Sequence, residues 1–164
     1  MLLIKLTVKI CVLLVLCVFL FTSCTNPFKS HSYTEVNFNE IKDVQLTYKQ
    51  NIYDIKLQFS RSVLNFTFGE NNTAYDGIVY KVTPQNCQVF YSGLTHSFDK
   101  DTLPDNYLPV LIWQFFSENG NVFVTENYDS QKDCCYLERT INNDFVKLEV
   151  YENQGNISYT LIIT

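Results

Sequence analysis

The side chains of this sequence that can do chemistry are few, and their spacing matches no catalytic or metal-binding pattern. The 164-residue chain has two histidines, His31 and His96. A zinc site needs three or four Cys, His, Asp or Glu ligands at recognisable spacings, and the sequence has none. Neither a nucleophile elbow nor a glycine-rich phosphate loop occurs. Asp99 and Asp101 lie in a loop-like stretch, where solvation explains paired carboxylates. We therefore expect no enzymatic activity, no metal and no cofactor.

Composition and charge exclude further classes of protein. Hydrophobic residues make up 46% of the chain, which excludes a disordered protein. The 12 basic and 17 acidic residues give a net charge of −5, whereas a surface for nucleic acid has to be basic. At roughly 150 residues per domain, the length allows one domain plus a targeting segment. We expect a single folded domain and no nucleic-acid partner.

The first 24 residues have the pattern of an export signal. Lys5 and Lys9 precede an apolar run of 12 residues, 10–21. Thr22-Ser23-Cys24 follows this run directly. As a helix this run is about 18 Å long, well short of the roughly 30 Å hydrocarbon core of a bilayer. The pattern predicts a signal peptide rather than a membrane-spanning helix.

The small residues and the cysteine after the apolar run resemble the lipobox of bacterial lipoproteins. In that family the cysteine sulfur carries diacylglycerol, the preceding bond is cut, and the cysteine becomes the N-terminus. The resemblance implies that residues 1–23 are removed and that Cys24 is lipidated, with palmitate-type chains that hold the protein on the membrane. A secreted protein cut elsewhere and an uncleaved anchor are the alternatives. All three export the rest of the chain, so we expect it at the extracytoplasmic face of the cell membrane.

The mature chain divides into a tether and a domain. Removal of residues 1–23 takes away two lysines and no acid, which changes the net charge to −7. This charge repels anionic lipid headgroups. Residues 24–33 are mostly polar and lack periodicity, so they are predicted to be a lipidated tether. Residues 34–164 are predicted to be a single β-rich domain.

Most of this domain has the alternating pattern of short antiparallel strands. Apolar residues recur at every second position, and turn residues separate the runs, in ranges 44–48, 53–59, 64–68, 78–83, 87–92, 94–98, 121–127, 134–141, 145–151 and 157–163. One stretch differs. Its apolar residues follow the spacing of an amphipathic helix: Leu108, Leu111, Ile112, Phe115 and Phe116. With Pro109 in its first turn and Gly120 after its end, a helix is predicted near residues 105–118.

A single helix restricts how the sheet can bury its apolar face. About ten strands make a sheet roughly 48 Å wide, whereas a helix is about 10 to 12 Å across. The sheet must therefore fold onto itself as a sandwich or curl around the helix. The helix lies mid-chain and is rich in aromatic residues, which favours the second arrangement. We expect an α+β, mostly β fold, with a curled antiparallel sheet that forms an incomplete barrel.

A second resemblance agrees with this expectation. It is carried by Asp76-Gly77, Tyr80, Tyr91-Ser92-Gly93-Leu94, Phe98 and Leu103-Pro104, which lead into the helix. This stretch resembles a group of small exported lipoproteins of Gram-positive bacteria. Those proteins in turn resemble the lipoprotein-carrier fold, an antiparallel half-barrel whose concave face is closed by helices. The resemblance implies the same fold over residues 41–164.

The abundance of aromatic residues suggests a binding function. The mature chain has 23 aromatic residues, more than a small core needs. Several are expected to line the concave face and to hold a ligand there: Tyr53, Phe59, Phe66, Phe68, Tyr80, Trp113 and Phe115. We expect a non-catalytic binding protein for an apolar or lipid-like ligand. The alternative is a scaffold lipoprotein that docks another cell-envelope protein, with a core filled by its own aromatic rings.

Three cysteines remain in the domain, and their number leaves their redox state open. Cys134 and Cys135 are adjacent and point to opposite faces of a strand, so only one of them can reach Cys87 from a given face. A bridge from Cys87 to Cys134 or to Cys135, a strained bridge between the two neighbours, and three buried reduced thiols are the alternatives.

The lipobox pattern generates a direct test of anchoring. In a bacterial host that expresses the full chain, Cys24→Ala should abolish incorporation of a clickable palmitate analogue, because no other cysteine follows the small residues of the cleavage site. Cys17→Ala, which changes a cysteine inside the apolar run, should leave the labelling intact. Labelling that persists in Cys24→Ala would contradict lipidation at this residue.

Overall fold

A computed structural model of the protein describes residues 35–69 and 74–164. The chain divides into two compact units, and the second comprises Tyr33–Thr164. The whole hydrophobic core described below lies in this second unit. Since a compact unit with its own core can in principle fold alone, we expect Tyr33–Thr164 to fold on its own. Cys24 and the predicted signal and tether lie outside the described residues.

The described residues form twelve strands, one α-helix and a short 3₁₀ helix at Lys100–Thr102. The α-helix, α1, spans Leu108–Asn119. The strands are β1 (Glu35–Asn37), β2 (Lys42–Tyr48), β3 (Asn51–Ser60), β4 (Val63–Phe68), β5 (Val79–Val82), β6 (Asn86–Tyr91), β7 (Leu94–Asp99), β8 (Val122–Val124), β9 (Asn127–Asp129), β10 (Cys134–Ile141), β11 (Asp144–Asn153) and β12 (Asn156–Ile163).

Ten of the strands form one sheet that does not close into a barrel. Its strand order is β7-β6-β5-β4-β3-β2-β12-β11-β10-β9. The predicted fold class, mostly β with a single helix and an open sheet, is confirmed. The sheet is mixed rather than wholly antiparallel, because β2 and β12 are parallel. Alternation along a strand carries no information about the direction of a neighbour that is distant in sequence, so the sequence could not predict this junction.

The predicted strand at residues 121–127 is instead divided between two sheets. β8 pairs with β1 in a separate two-stranded sheet, and β1 has no counterpart in the sequence-based prediction. β9 joins the edge of the large sheet beside β10. Thr125, which lies between β8 and β9, is buried. The chain thus passes from one sheet to the other through a buried polar residue, and periodicity gives no sign of such a step.

The helix closes the concave face of the sheet with four side chains that are completely buried. Leu111, Ile112, Phe115 and Phe116 are each 0% exposed. Four other aromatic rings surround Phe116, at centroid distances of 4.7 Å for Phe38, 5.3 Å for Phe115, 5.7 Å for Phe59 and 6.3 Å for Phe123. The helical spacing seen in the sequence is therefore the spacing of the residues that fill the core.

The ends of α1 follow from local backbone chemistry. Pro109 occupies the first turn, and Gly120 follows the last turn with a φ of 80°, which a residue with a side chain adopts at a cost. The helix begins at Leu108, three residues later than the start near 105 that the sequence predicts. Tyr107 has an extended backbone, and its N–H bonds to the carbonyl of Pro104 at 2.9 Å. No helix within the described ranges has the length and apolar character needed to cross a membrane.

The burial of Phe115 predicts a large loss of stability when its ring is removed. Phe115→Ala should lower the free energy of unfolding by about 3 to 5 kcal/mol, because it leaves a cavity between the helix and the sheet. Phe98→Ala is the matched control, since this ring is 43% exposed. Urea unfolding of Tyr33–Thr164 measures both. Equal losses in the two variants would show that α1 does not seal the core.

Candidate ligand-binding cavity

A cavity of about 360 Å³ opens at one end of the concave face. It lies between strands β2–β5 of the sheet and the segment that leads into α1. Twelve residues line it, and we call it the aromatic cavity: Tyr48, Lys49, Tyr53, Phe66, Phe68, Tyr75, Tyr80, Pro104, Asn106, Tyr107, Leu108 and Pro109. Its walls are therefore mostly rings and aliphatic side chains.

The sheet contributes its part of the wall through strand register. Tyr53 pairs with the core residue Leu46, and Phe66 pairs with Tyr80 on the next strand. Cross-strand partners point to the same face, so these rings all project to the concave side. Along this region, buried residues of β3 and β4 alternate with less buried or exposed ones. Register and alternation together hold the rings in one patch.

The rings of the wall contact one another in a continuous series. Phe66 stacks on Tyr80 with centroids 4.7 Å apart, and Phe68 stacks on Tyr75 at 5.0 Å. Tyr53 meets Phe68 edge to face at 5.5 Å. Such offset and edge-to-face contacts stabilise aromatic pairs beyond simple burial of area. The wall is thus preorganised, and the rings leave the cavity open although they pack on one another.

Polar groups enter the cavity at the helix end. The rings of Tyr80 and Tyr107 meet edge to face with centroids 6.4 Å apart, and burial raises the pKa of both hydroxyl groups. The two hydroxyls are therefore neutral at physiological pH. A protonated tyrosine hydroxyl can donate its hydrogen to an acceptor on a ligand. Close to them, burial raises the pKa of the Cys87 thiol to about 11, so this cysteine is a poor nucleophile.

A positive charge lies at the mouth of the cavity. Lys49 and Gln50 form the turn between β2 and β3, with left-handed φ values of 48° and 67°. This is the geometry of a tight two-residue hairpin turn. The Nζ atom of Lys49 lies 5.0 Å from the centroid of the Tyr48 ring, close enough for a cation–π contact. The turn and the ring together hold the ammonium group beside the opening.

Four of the seven predicted ligand-lining residues border this cavity: Tyr53, Phe66, Phe68 and Tyr80. The other three do not. Phe59 and Phe115 are buried in the core, where both pack against Phe116. Trp113 is half-buried, and its indole N–H donates to the carbonyl of Ser62 at 2.9 Å. Phe59 lies on a part of the sheet that the helix covers, whereas Trp113 and Phe115 belong to the helix itself.

Sequence reasoning missed the residues that complete the wall. Tyr48 continues the alternation of Val44 and Leu46, so the strand pattern is sufficient to predict its place on the concave face. Tyr107 and Asn106 precede the helix and have no periodic neighbours. Their position depends on how the loop before α1 folds back over the sheet, which no local pattern encodes.

The three cysteines of the domain are buried free thiols in the structure. Neither predicted bridge, from Cys87 to Cys134 or to Cys135, is present. Cys87 belongs to β6 and the other two to β10, and these strands lie near opposite ends of the ten-stranded order. Of the alternatives left open by the sequence, the structure has three reduced cysteines.

A second cavity, of about 370 Å³, has a different character. Asp43, Asp54 and Lys56 border it together with Gly69 and Ser158, among others. Charges of both signs and a single aromatic ring give this surface no evident preference for one ligand. The aromatic cavity is the better candidate site, because its wall combines apolar area with few polar groups.

A buried ionic cluster lies on the opposite, outer face of the sheet. Glu149 alternates with core residues of β11, so its side chain points outward, yet it is only 1% exposed. Its carboxylate accepts hydrogen bonds from Lys132 Nζ at 2.7 Å and Tyr151 Oη at 2.6 Å, and Lys147 Nζ lies 3.0 Å away. Lys147 also lies over the Tyr136 ring, 3.9 Å from its centroid.

This cluster has the features of a structural site rather than a catalytic one. Burial acts to raise the pKa of Glu149, but the bonds from Lys132, Tyr151 and Lys147 outweigh it and lower the pKa. Burial raises the pKa of the adjacent Cys134 thiol. The carboxylate is thus a saturated acceptor, and the thiol stays protonated. Among residues 35–69 and 74–164, no three potential ligands are grouped to hold a metal ion.

The lowered pKa of Glu149 predicts an acid-sensitive contribution to stability. Because the folded-state pKa lies below the ordinary value of 4.5, the stabilisation is present above that pH and is lost as the pH falls through the folded-state pKa. Glu149→Gln should therefore lower the free energy of unfolding by about 1.5 to 3 kcal/mol at pH 7, the usual contribution of bonds to a charged group. The difference from the wild type should shrink below pH 4.5.

Urea unfolding at several pH values measures this effect. Glu152→Gln, an exposed position on the same strand, should change stability by less than about 0.5 kcal/mol. A loss in Glu149→Gln that is the same at pH 7 and at pH 3 would contradict the proposed role of the charge.

Comparison with protein families, with curated proteins and with solved structures finds no match for this chain. The resemblance to half-barrel lipoproteins therefore stays a prediction from sequence. The function has to be argued from the geometry of the aromatic cavity and from the chemistry of its wall.

Proposed function

We propose that this chain is a lipid-anchored, extracytoplasmic binding protein that holds a small, mainly apolar ligand in the aromatic cavity. It has no catalytic role in this proposal. The observation that carries the proposal is a preformed cavity whose wall is built from aromatic rings with a few polar groups at one end. Ligand sites in proteins commonly have this composition. The membrane anchor rests on the signal and lipobox pattern that ends at Cys24.

The volume of the cavity restricts the ligand. Small-molecule sites range over roughly 300 to 1,000 Å³, and the aromatic cavity, at about 360 Å³, lies near the lower limit. A compound with one or two ring systems or a single short chain fits this volume. A lipid with two long acyl chains does not fit within it. The proposed ligand is thus smaller than the lipid-like ligand expected from the sequence.

One observation favours the alternative, in which the protein docks another envelope protein. β7 is an edge strand of the large sheet, and all six of its residues are exposed. Leu94 and Phe98 are 63% and 43% exposed and share one face of the strand. An open edge with apolar side chains can accept an extended segment of a partner as an additional strand.

Uptake of a neutral apolar dye tests the binding proposal. N-phenyl-1-naphthylamine should bind Tyr33–Thr164 saturably at one site, with increased fluorescence, because its two ring systems match the size and apolar character of the cavity. Asn106→Trp places a large ring at an exposed position on the cavity rim and should weaken binding at least tenfold. Glu118→Trp, at the far end of α1, is the matched control and should leave the affinity within twofold of the wild type.

Three results would contradict ligand binding in this cavity. They are the failure of the folded protein to take up either a neutral or an anionic apolar dye, uptake that does not saturate, and equal weakening by the two tryptophan variants. The docking function through β7 would then become the better proposal.

A further inference from the structure

The charge on the wall of the aromatic cavity carries a more specific inference about the ligand. Among the twelve described residues that line it, Lys49 has the only charged side chain, and none is acidic. This contrasts with the whole sequence, in which 17 acidic residues outnumber 12 basic ones. The wall of the cavity therefore favours an anionic group on a ligand, although the chain as a whole carries a net negative charge.

From this arrangement we propose that the ligand is a small amphipathic anion, with an apolar body among the rings and a carboxylate or similar group near Lys49. The inference rests on the proposed binding function and specifies its ligand class. Three features of the wall support it: the cation of Lys49, the exposed amide of Asn106, and the hydroxyl groups of Tyr80 and Tyr107. All three can donate hydrogen bonds to an anionic oxygen.

The ammonium group of Lys49 is available for this role. Within the described parts of the chain it forms no ion pair with a carboxylate, whereas Lys132 and Lys147 are both bound to Glu149. Its first partner is the Tyr48 side chain, which also belongs to the wall. Asp144 acts on the ammonium group through its charge and helps to raise the pKa of Lys49, but it forms no close ion pair with it. A cation that is oriented by an aromatic ring and has an acid only at a longer distance, not in a close ion pair, retains attraction for an incoming anion.

The competing ligand class is a cation held by the aromatic rings. Tyrosine and phenylalanine faces attract ammonium groups, and several rings around one cavity are the usual cage for such a ligand. In this cavity the ammonium of Lys49 already lies over the Tyr48 ring. A second cation at the mouth would be repelled by Lys49, and no acidic residue of the wall would compensate for that repulsion.

A matched pair of dyes separates the effect of charge from the effect of the apolar body. 1-Anilinonaphthalene-8-sulfonate has the same ring skeleton as N-phenyl-1-naphthylamine and adds one anionic group. Both are titrated into Tyr33–Thr164. Lys49→Gln should weaken binding of the sulfonate dye at least fivefold and leave the neutral dye within twofold of the wild type. Lys49→Arg, which keeps the positive charge, should retain most of the wild-type affinity for the sulfonate dye.

Lys81→Gln provides the control, because it removes the same charge from an exposed position outside the cavity. It should change the affinity of neither dye by more than twofold. As competitors, octanoate should displace the sulfonate dye from the wild type more effectively than octyltrimethylammonium does. The reverse order would overturn the anion assignment in favour of a cation cage.

The outcomes distinguish this inference from the proposed function. If the neutral dye binds and Lys49→Gln does not selectively weaken the sulfonate dye, the inference is wrong and the binding function stands. If neither dye binds the folded protein, both are wrong. If only the sulfonate dye binds and its binding requires Lys49, the anion assignment stands, and the apolar wall alone is insufficient for binding.

Discussion

The packing of Phe115 and Phe116 against the concave face of the sheet is the interaction on which the other packing depends. A helix about 10 to 12 Å across has to seal a sheet whose ten strands would span about 48 Å if flat. The mismatch is resolved because the sheet curves and because Phe38 and the small β1–β8 sheet add rings around Phe116. The core therefore has its centre under α1, and the ends of the sheet extend beyond the cover that the helix provides.

The aromatic cavity follows from the position at which the helix begins. α1 starts at Leu108, and the chain before it folds over the sheet with Pro104 and a tight turn rather than with a longer helix. That segment covers the rings of β3, β4 and β5 less completely than a helical turn would. The same lack of cover leaves Tyr80, Tyr107 and the Lys49 turn on the wall of one cavity. The position at which α1 begins thus brings apolar area and polar groups together in one cavity.

The sequence predicted the parts of this architecture that depend on local periodicity, and missed those that depend on contacts between distant segments. Alternation located most of the strands, and the spacing of Leu111, Ile112, Phe115 and Phe116 located the buried face of the helix. The same alternation put Phe59 and Tyr53 in one class, although the helix covers the first and leaves the second beside a cavity. Lys49 is polar and lies in a turn, so only the fold reveals that it borders an apolar site.

The parallel junction between β2 and β12 has a consequence for how the chain reaches its native state. The strands β2–β7 and β9–β12 are two meanders whose hairpins bring near neighbours in sequence together. Their union requires Val44 to meet Tyr159, a partner about 115 residues away along the chain. Closing so large a loop costs conformational entropy before any contact compensates for it, and such contacts slow folding. The two halves can therefore acquire local structure early, while the seam between them sets the rate and leaves two apolar strand edges unpaired until it forms.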